Sequence, residues 1–474
     1  MMKRSGGWAA MVVLVAACGD DGGNPTDEDT TTSADGADTD TGPVDPWAAP
    51  VETGAFRILY NERGRLPENA DQNELWLMGA DGKNQLALTD LAGLKDLDPP
   101  LSCNYGCVVS PDLEWIAVVT GPPGEKGFQM KLGRFNEDLE VALLKGDELD
   151  DIIDFHFAGD RMFYSKEKSC TGPSCTYEIS VVELEENVNI TVPFLTFPPD
   201  AELRDSTYKG HFDVSADGKN IVMLNTTIRS VSVYLWKDGS GLIELDYLCK
   251  YGGDKANCQG TGSEYTDTDP VAIDASGRYI AFFTFADRWQ RIRLYDTQNP
   301  SVIKSSIVAS VPSGPWIEHA CDPGVIADWQ WQRVVGDPSF TPDGQEIVFL
   351  GEYACRENGL EPKKRQTNIY RVKLDTVVRE LTLTEQDVFN VTKHPRGDVT
   401  ANRHPSAFAL SPDGATAVFT GTPTFDQSGG LIADGSARQR NDREVYRIRL
   451  DGTNPVQLTN DLSFQSESPM VIPQ

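Results

Sequence analysis

The stretch LSPDGATAVFTG, from Leu410 to Gly421, decides the fold of this chain. It reads as a short apolar strand, a Ser-Pro-Asp-Gly turn and a second apolar strand. Pro412 presets φ at the first central turn position, Asp413 can accept hydrogen bonds from the backbone beside it, and Gly414 takes positive φ without steric cost. The flanking segments have the length and pattern of strands. The stretch therefore predicts a tight antiparallel hairpin.

Versions of this hairpin recur along the chain, and the recurrence is more informative than any single copy. After a variable gap, each is followed by an alternating strand and a short closing strand, as in EVYRIRLDG (444–452) and VQLTND (456–461). The related hairpins are SPDLEWIAVVTG (110–121), the degenerate FAGDRMFYS (157–165), SADGKNIVML (215–224), DASGRYIAFFT (274–284) and TPDGQEIVFLG (341–351).

Four antiparallel strands per repeat, spaced by roughly 50 to 70 residues, are typical of the blades of a β-propeller. An all-β sandwich is the alternative, but a sandwich needs no repeated turn motif. We therefore predict an all-β fold, a β-propeller of about seven four-stranded blades. Six blades are expected at 98–146, 150–195, 205–247, 267–310, 335–384 and 403–460.

The remaining blade is expected to combine the two ends of the folded part. FRILYN (56–61), ELWLMGADG (74–82) and QLALTD (85–90) match the second, third and fourth strands of a blade that lacks its first strand. SESPMVIP (466–473) matches a first strand with nothing after it. We expect this C-terminal strand to complete the N-terminal blade and close the ring, which would remove two open sheet edges.

Several of these features resemble the repeats of TolB-like, WD-type propellers. They are the SPDG, TPDG and SADG hairpins, the strands that end in LDG or ADG, and the LTD or LTN closing strands. The resemblance covers most of Val51 to Gln474 and implies the propeller fold. TolB-type propellers typically have six blades and a separate N-terminal domain, whereas one more blade and no such domain are expected here. Because one fold serves many functions, the resemblance implies no particular activity.

Residues 1–18 are predicted to be a lipoprotein signal peptide. Lys3 and Arg4 precede an apolar run, Trp8–Ala17, that is shorter than the ~20 residues of a membrane-spanning helix. Cys18 follows small residues and begins a polar segment, which resembles the lipidation site of bacterial lipoproteins; an ordinary secretory signal is the alternative. Gly19 resembles the next residue of lipoproteins sent to the outer membrane. The expected location is the bacterial cell envelope, lipid-anchored in the outer membrane and facing the periplasm or the outside.

Residues 19–50 are predicted to be a disordered acidic tether, and the propeller is expected to span 51–474. The tether contains no Lys or Arg, and residues 20–46 hold nine Asp and Glu. Such a composition cannot bury enough apolar surface to fold. The formal net charge of the chain is −30, which argues against a nucleic-acid partner. We expect a membrane contact through the lipid anchor and a protein or glycan partner in the envelope.

The chain contains nine cysteines, and with Cys18 assigned to the lipid an even number remains. We expect disulfides, because envelope compartments are oxidising and no CxxC cluster with matched partners suggests a metal site. The expected neighbours are Cys103 with Cys107, Cys170 with Cys175, Cys249 with Cys258, and Cys321 with Cys355.

The two faces of the propeller are expected to differ. The turns between first and second and between third and fourth strands share one face and are short, whereas the other connections share the opposite face. That second face receives the long insertions 166–176, 250–266, 312–336, 352–367, 387–403 and 422–443. Long loops commonly carry function, so we predict that this face binds a ligand. The candidate binding residues are Trp316, His319, Trp329 and Trp331; filling gaps between blades is their alternative role.

Motifs of common catalytic sites are absent from the sequence. It contains no GxSxG elbow, HExxH motif, Walker loop or dinucleotide fingerprint. We predict no catalytic residue, no metal and no cofactor, and hence a non-enzymatic binding protein. One alternative is a metal-dependent enzyme similar to the oligogalacturonate lyases, with His319, His394 and His404 as ligands. Another is a purely structural component of the envelope.

Overall fold

The fold is given by a computed structural model, which is nearly all β. The structure describes residues 56–64, 73–88, 107–110, 114–119, 128–135, 141–143, 149–171, 174–184, 191–197, 211–226, 230–249, 271–286, 289–299, 303–308, 329–334, 338–356, 364–380, 382–384, 386–392, 397–398, 407–421, 443–459 and 464–473.

The hairpin at 407–421 forms as the sequence predicts, and its turn is held by a hydroxyl–carboxylate pair. Ser411 Oγ donates to Asp413 Oδ1 at 2.6 Å and accepts the N–H of Thr416 at 2.9 Å. Asp413 Oδ1 also accepts the N–H of Ala415 at 3.0 Å. Gly414 has φ +67° and donates its N–H to the Ser411 carbonyl. The polar groups of this turn are thus satisfied locally, and the strand that follows is buried along its whole length.

The same pair recurs in the related turns. Ser215 donates to Asp217 at 2.7 Å, and Thr341 donates to Asp343 at 2.6 Å. In the DASG copy the order is reversed, so that Ser276 donates back to Asp274. Four of the turns thus contain one hydroxyl and one carboxylate two positions apart, in either order.

Within the described residues the strands form seven units, each with four main strands. The first unit has β31 (Phe464–Pro473), β1 (Phe56–Gly64), β2 (Asn73–Gly79) and β3 (Leu86–Ala87). The second has β4 (Cys107–Val109), β5 (Trp115–Val119), β6 (Phe128–Phe135) and β7 (Val141–Leu143). The third has β8 (Leu149–Ala158), β9 (Arg161–Thr171), β10 (Ser174–Glu183) and β11 (Thr191–Phe197), and β8 also pairs with β6.

The other four units follow the same order. The fourth has β12 (Phe212–Val214), β13 (Asn220–Thr226), β14 (Ser230–Lys237) and β15 (Gly241–Cys249). The fifth has β16 (Val271–Ile273), β17 (Tyr279–Ala286), β18 (Trp289–Asp296) and β19 (Ile303–Val308). The sixth has β21 (Ser339–Phe340), β22 (Glu346–Arg356), β23 (Lys364–Lys373) and β25 (Val388–Asn390), with β20 (Trp329–Val334) and β26 (Gly397–Asp398) added. The seventh has β27 (Ala407–Leu410), β28 (Thr416–Gly421), β29 (Glu444–Arg449) and β30 (Val456–Gln457). This is the β-propeller architecture that the repeats predict.

The C-terminal strand pairs with the first strand of the chain, as expected. β31 runs antiparallel to β1, with Pro473 opposite Phe56 and Phe464 opposite Gly64. Val471, 1% exposed, packs in one apolar cluster with Ile58 of the first unit. The pairing is thus confirmed. Closure of the whole ring stays a prediction, because the described contacts do not specify how the first and second units meet.

Apolar clusters lie between neighbouring units and hold them side by side. Each of five clusters combines residues from two consecutive units, from the third unit through the seventh and on to the first. β22 illustrates the arrangement: Ile347 and Phe349 pack toward the fifth unit, whereas Val348 and Leu350 pack toward the seventh. Because side chains alternate along a strand, one strand supplies two interfaces.

Turn glycines allow neighbouring units to approach closely. A Cβ on Gly414 would lie 3.1 Å from Pro342 of the preceding unit. A Cβ on Gly82 would lie 3.2 Å from the Leu458 carbonyl, and one on Gly452 3.1 Å from the Val391 carbonyl. These glycines combine positive φ with contact across an interface, so the repeated PDG and LDG turns also serve the packing between units.

The sixth unit departs from the sequence prediction. Its fourth strand was expected before residue 384 but is β25, so the predicted span 335–384 is wrong. The helix α1 (Leu374–Arg379) follows β23, and β24 (Thr382–Leu383) then pairs in parallel with β19 of the fifth unit. The segment 381–384, LTLT, resembles a closing strand in sequence, but β24 within it covers the outer edge of β19 in the neighbouring sheet. Among the described residues no helix is long and apolar enough to cross a membrane.

Four of the predicted insertions contain strands: 312–336 contains β20, 387–403 contains β25 and β26, and two others are shorter than expected. In 166–176, β9 continues to Thr171 and β10 begins at Ser174, so most of this segment is strand. In 352–367, β22 continues to Arg356 and β23 begins at Lys364. Both pairs of strands extend toward the face of the long insertions.

The two roles of the turn glycines can be separated by substitution. Gly452→Ala is expected to lower the free energy of unfolding by roughly 2 kcal/mol, because positive φ and a rigid neighbouring carbonyl both oppose a Cβ. Gly239→Ala is the matched control, since Gly239 has φ +74° but no atom within 4 Å of its Cβ position. Gly239→Ala is expected to lower the free energy of unfolding by only about 1 kcal/mol. Equal losses in urea unfolding would contradict an interface role for Gly452.

Candidate functional site

The antiparallel strand order gives the propeller two faces. We call one the short-turn face; it includes the turns 80–85, 159–160, 215–219, 238–240, 274–278, 341–345, 411–415 and 450–455. We call the other the long-loop face; it lies at the opposite ends of the strands. Trp316 and His319 lie outside the described residues, as do His394 and His404. Trp329 and Trp331 lie on β20, at the long-loop face.

The sixth unit extends beyond its four-stranded core on the long-loop face. β21 pairs with the first half of β22, at Ile347 and Val348, and β20 pairs with the second half, from Gly351 to Arg356. On the far side, β26 pairs with the beginning of β23. The extension is therefore a small sheet in the order β20-β22-β23-β26, continuous with the core of the unit.

Register places the two tryptophans beside basic residues. Trp329, Trp331 and Arg333 occupy alternate positions of β20. Arg356 is the register partner of Trp329. Trp331 is opposite Ala354, which in turn is opposite Arg365 of β23. The structure thus brings together two of the four predicted binding residues, with arginines that the sequence analysis did not single out.

The best described polar cluster lies elsewhere, on the first strands of successive units. It consists of Asp154 and His156 on β8, His211 just before β12, and Asp213 on β12. β8 lies beside β12, and β12 beside β16, so these first strands follow one another around the centre of the propeller. Both pairs have a spacing of two residues, which puts each pair on one face of its strand.

Asp154 lies between the two histidines. Its Oδ1 is 3.4 Å from His156 Nε2, and its Oδ2 is 3.3 Å from His211 Nδ1. It also accepts the N–H of Phe155 at 2.9 Å and that of Phe212 at 3.2 Å. Burial raises the pKa of the Asp154 carboxyl, but the charges of His156 and His211 outweigh burial and hold it well below its ordinary value. This carboxylate therefore stays ionised far into the acid range.

Asp213 connects the cluster to a third unit. Its side chain is buried, and its Oδ1 lies 3.9 Å from His156 Nδ1. Asp213 accepts the N–H of Val214 at 2.8 Å and that of Ile273, on β16 of the fifth unit, at 2.7 Å. The ionic and hydrogen-bond contacts thus run from the third unit through the fourth to the fifth.

These contacts support a structural role for the cluster. Both carboxylates already accept backbone N–H groups from two different units, and His156 packs edge-on against Phe212 with ring centroids 4.8 Å apart. In the part of the chain that the structure describes, no group of three His, Cys, Asp or Glu is placed to hold a metal ion.

The sequence signal for this cluster was a departure from the repeat. Asp213 in HFDVSADG occupies the position taken by Ala272, Ser339 and Ala409 in later copies. A charged residue in a buried first strand, with a histidine two positions before it, is the only local clue. The partners of Asp213 on β8 are more than fifty residues away in the sequence, so local sequence patterns could not show that these residues form one cluster.

Three of the expected cysteine pairs cannot be placed completely. Cys18, Cys103, Cys258 and Cys321 lie outside the described residues, whereas Cys107, Cys249 and Cys355 lie on β4, β15 and β22. For the remaining pair, Cys175 on β10 is directly opposite Cys170 on β9. Opposed residues of antiparallel strands have Cα atoms about 4.5 or 5.5 Å apart, within the range that a disulfide spans. The backbone therefore allows the predicted Cys170–Cys175 bond.

No protein-family model matches this chain, and no curated protein is similar to it in sequence. Similar solved structures include TolB from Acinetobacter baumannii, with 12% identity and a TM-score of 0.38, over 88% of this chain and 67% of that chain. A putative 6-phosphogluconolactonase from Bacteroides fragilis has 12% identity and a TM-score of 0.44, over 89% of this chain and 99% of that one. For Pyrococcus horikoshii acylaminoacyl peptidase the identity is 13% and the TM-score 0.44, over 86% of this chain and 51% of the peptidase. A TolB structure is among these matches, and at these identities nothing beyond the fold is implied.

Replacing the central carboxylate tests the ion-pair cluster. Asp154→Asn is expected to lower the free energy of unfolding by roughly 2 kcal/mol at pH 5, where imidazole is ordinarily protonated. Folding lowers the pKa of Asp154, so the carboxylate stabilises the folded state fully at pH values above the pKa of an ordinary carboxyl group. This stabilisation is lost as the pH falls toward the lowered pKa of the folded state. The difference between wild type and variant should therefore shrink below about pH 4.

The control is Asp160→Asn, which removes the same charge from an 84% exposed side chain of the same unit. It should change stability by less than about 0.5 kcal/mol at either pH. Urea unfolding across the pH series measures both variants. If the free energy of unfolding of Asp154→Asn stays a constant amount below that of wild type from pH 5 down to acid pH, the ionic role is ruled out.

The Cys170–Cys175 bond can be checked by alkylation of the protein taken from the envelope. We expect both cysteines to resist alkylation until a reductant is added, because a disulfide leaves no thiolate to react. Mass spectrometry of the peptide that contains both residues reports the result. Alkylation of both without reductant would show that the pair is free.

Proposed function

We propose that this chain is a non-enzymatic lipoprotein of the bacterial cell envelope, whose propeller binds a protein or other ligand on the long-loop face. The observation that supports the proposal is the extension of the sixth unit at the long-loop face, where β20, the strand that contains Trp329 and Trp331, pairs with β22. A binding residue on a strand is held more firmly than one on an isolated loop.

The contrast between the two faces supports the same assignment. Turns of the short-turn face are closed by internal hydrogen bonds, and several pack against neighbouring units. Their polar groups are largely committed to the fold. The long-loop face receives the insertions, which vary in length between units and are not required by the repeat. Connections of this kind commonly carry binding residues.

Residue chemistry on the extension also favours binding. Tryptophan offers a large apolar surface with one hydrogen-bond donor, and it is enriched with arginine among the residues that dominate protein interfaces. Trp316 and His319 are proposed to contribute from the insertion that precedes β20. Cys18 is proposed to carry the lipid, with residues 19–50 as the tether that separates the propeller from the membrane.

Cross-linking in intact envelopes tests the function. The full chain is expected to capture a reproducible partner, and Trp329→Ala/Trp331→Ala should reduce that capture at least about tenfold, because such anchors often contribute 2 kcal/mol or more each. The matched control is Leu86→Ala/Val378→Ala, which removes two apolar side chains, each 38% exposed, away from the extension. The control should capture the partner as wild type does.

Two outcomes would count against the proposal. One is equal capture by both double variants, and the other is equal loss in both while circular dichroism shows a folded chain. The same preparations test the anchor, since Cys18→Ser should release the protein from the membrane fraction. A Cys18→Ser chain that remains in that fraction would argue against lipidation.

A further inference from the structure

Six turns among the described residues contain an Asp-Gly dipeptide, and in all six the glycine has positive φ. Asp-Gly is the dipeptide most prone to close into a cyclic imide, because glycine has no side chain to hinder attack by its nitrogen on the aspartate carboxyl group. The contacts of each turn decide whether this reaction can occur. The dipeptides begin at Asp81, Asp217, Asp238, Asp343, Asp413 and Asp451.

Five of these turns hold both reacting groups in hydrogen bonds. Each of the five carboxylates accepts the backbone N–H of the residue two positions later, at 2.8 to 3.0 Å. Each of the five glycines donates its own N–H to the carbonyl three positions earlier, at 2.7 to 2.9 Å. Hydrogen bonds to a carboxylate favour its ionised form, which is the form that resists attack. We therefore expect these five turns to be protected.

The turn at Asp238 holds neither reacting group. Within the described residues, the Asp238 carboxylate accepts no hydrogen bond and forms no ion pair, and the Gly239 N–H donates no hydrogen bond. The turn is closed instead by the N–H of Ser240, which donates to the Lys237 carbonyl at 2.9 Å. Asp238, Gly239 and Ser240 are all exposed. Both groups that would react are therefore open to water and unrestrained.

The same turn is also free to change shape. No atom lies within 4 Å of the Cβ position of Gly239 or of Gly241, whereas the corresponding position of Gly452 meets a carbonyl of the neighbouring unit. The register of β14 with β15 ends with Lys237 opposite Gly241, so the three residues between them lie outside the paired strands. The Asp238 side chain can thus turn toward the Gly239 nitrogen without displacing a neighbour or breaking the ladder.

We propose that Asp238–Gly239 is a site of spontaneous isomerisation of aspartate to isoaspartate. The Gly239 nitrogen attacks Cγ of the protonated Asp238 carboxyl group, and the new N–Cγ bond closes a succinimide ring. The hydroxyl group of the carboxyl leaves with the amide proton as water. Water then adds to either ring carbonyl and breaks its bond to nitrogen, which restores aspartate or gives isoaspartate. No oxidant, cofactor or enzyme takes part.

The product differs from the original turn in backbone and not in composition. In isoaspartate the main chain passes through Cγ, which lengthens the turn by one methylene group, and the former main-chain carbonyl becomes the free carboxylate. Mass and charge are unchanged. Because the altered residue lies outside the strand pairing and packs against no other unit, the fold is expected to persist. The modification should therefore accumulate on folded molecules as they age, whatever the long-loop face binds.

The test incubates the purified full chain at about pH 5, where a fraction of ordinary carboxyl groups is protonated. Mass spectrometry with electron-transfer fragmentation then measures isoaspartate at each dipeptide in one sample. In the folded chain it is expected to form at Asp238 at least about tenfold faster than at Asp343 or Asp413. In urea, which unfolds all the turns, the three rates should become similar.

Glycine substitution provides the matched pair of variants. Gly239→Ala should slow isomerisation at Asp238 at least about fivefold, because a methyl group hinders the attacking nitrogen. Gly241 has φ +75° and an equally open Cβ position but does not follow an aspartate. Gly241→Ala should therefore stay within about twofold of the wild-type rate. Circular dichroism verifies that both variants are folded.

Three results would overturn the proposal. Equal rates at Asp238, Asp343 and Asp413 in the folded chain would show that the hydrogen bonds of the turns do not control the reaction. A preference for Asp238 that persists in urea would assign it to neighbouring residues in the sequence and not to the structure of the turn. Equal slowing by Gly239→Ala and Gly241→Ala would exclude the Gly239 nitrogen as the attacking atom.

Discussion

The sheets of the fourth to seventh units are apolar on both faces, and that constraint governs the rest of the structure. A single strand such as β22 sends Ile347 and Phe349 to one neighbour and Val348 and Leu350 to the other. No unit can bury both faces alone, so stability must come from contacts between units. Neighbouring units can approach closely only where the turns between strands carry no side chain at the interface. Gly82, Gly414 and Gly452 occupy such positions.

The parts of the fold that depend on local chemistry could be predicted from the sequence. The hydroxyl–carboxylate turns, the order of four strands per unit and the pairing of β31 with β1 all follow from short patterns. The end of the sixth unit could not be predicted, because LTLT has the composition of a closing strand. Its position depends on α1 and on the outer edge of β19, and neither is visible in a local pattern.

The candidate site also has parts that could be predicted from the sequence and parts that could not. Trp329 and Trp331 were predicted from the topological rule that places long connections on one face, and they do lie there. Arg356 and Arg365 were not singled out, because their proximity depends on the register of three strands. The ionic cluster of Asp154, His156, His211 and Asp213 was also missed. Its members come from two units and become neighbours only when those units pack.

The pairing of β31 with β1 has a consequence for the order of events in biogenesis. The first unit lacks its inner strand until residues 464–473 have been synthesised and, if the protein is exported, translocated. Pairing of two strands about 400 residues apart has a high contact order and is expected to be slow. Such a delay would keep the polypeptide loosely structured during threading through a secretion channel and would favour completion of the fold on the far side of the membrane.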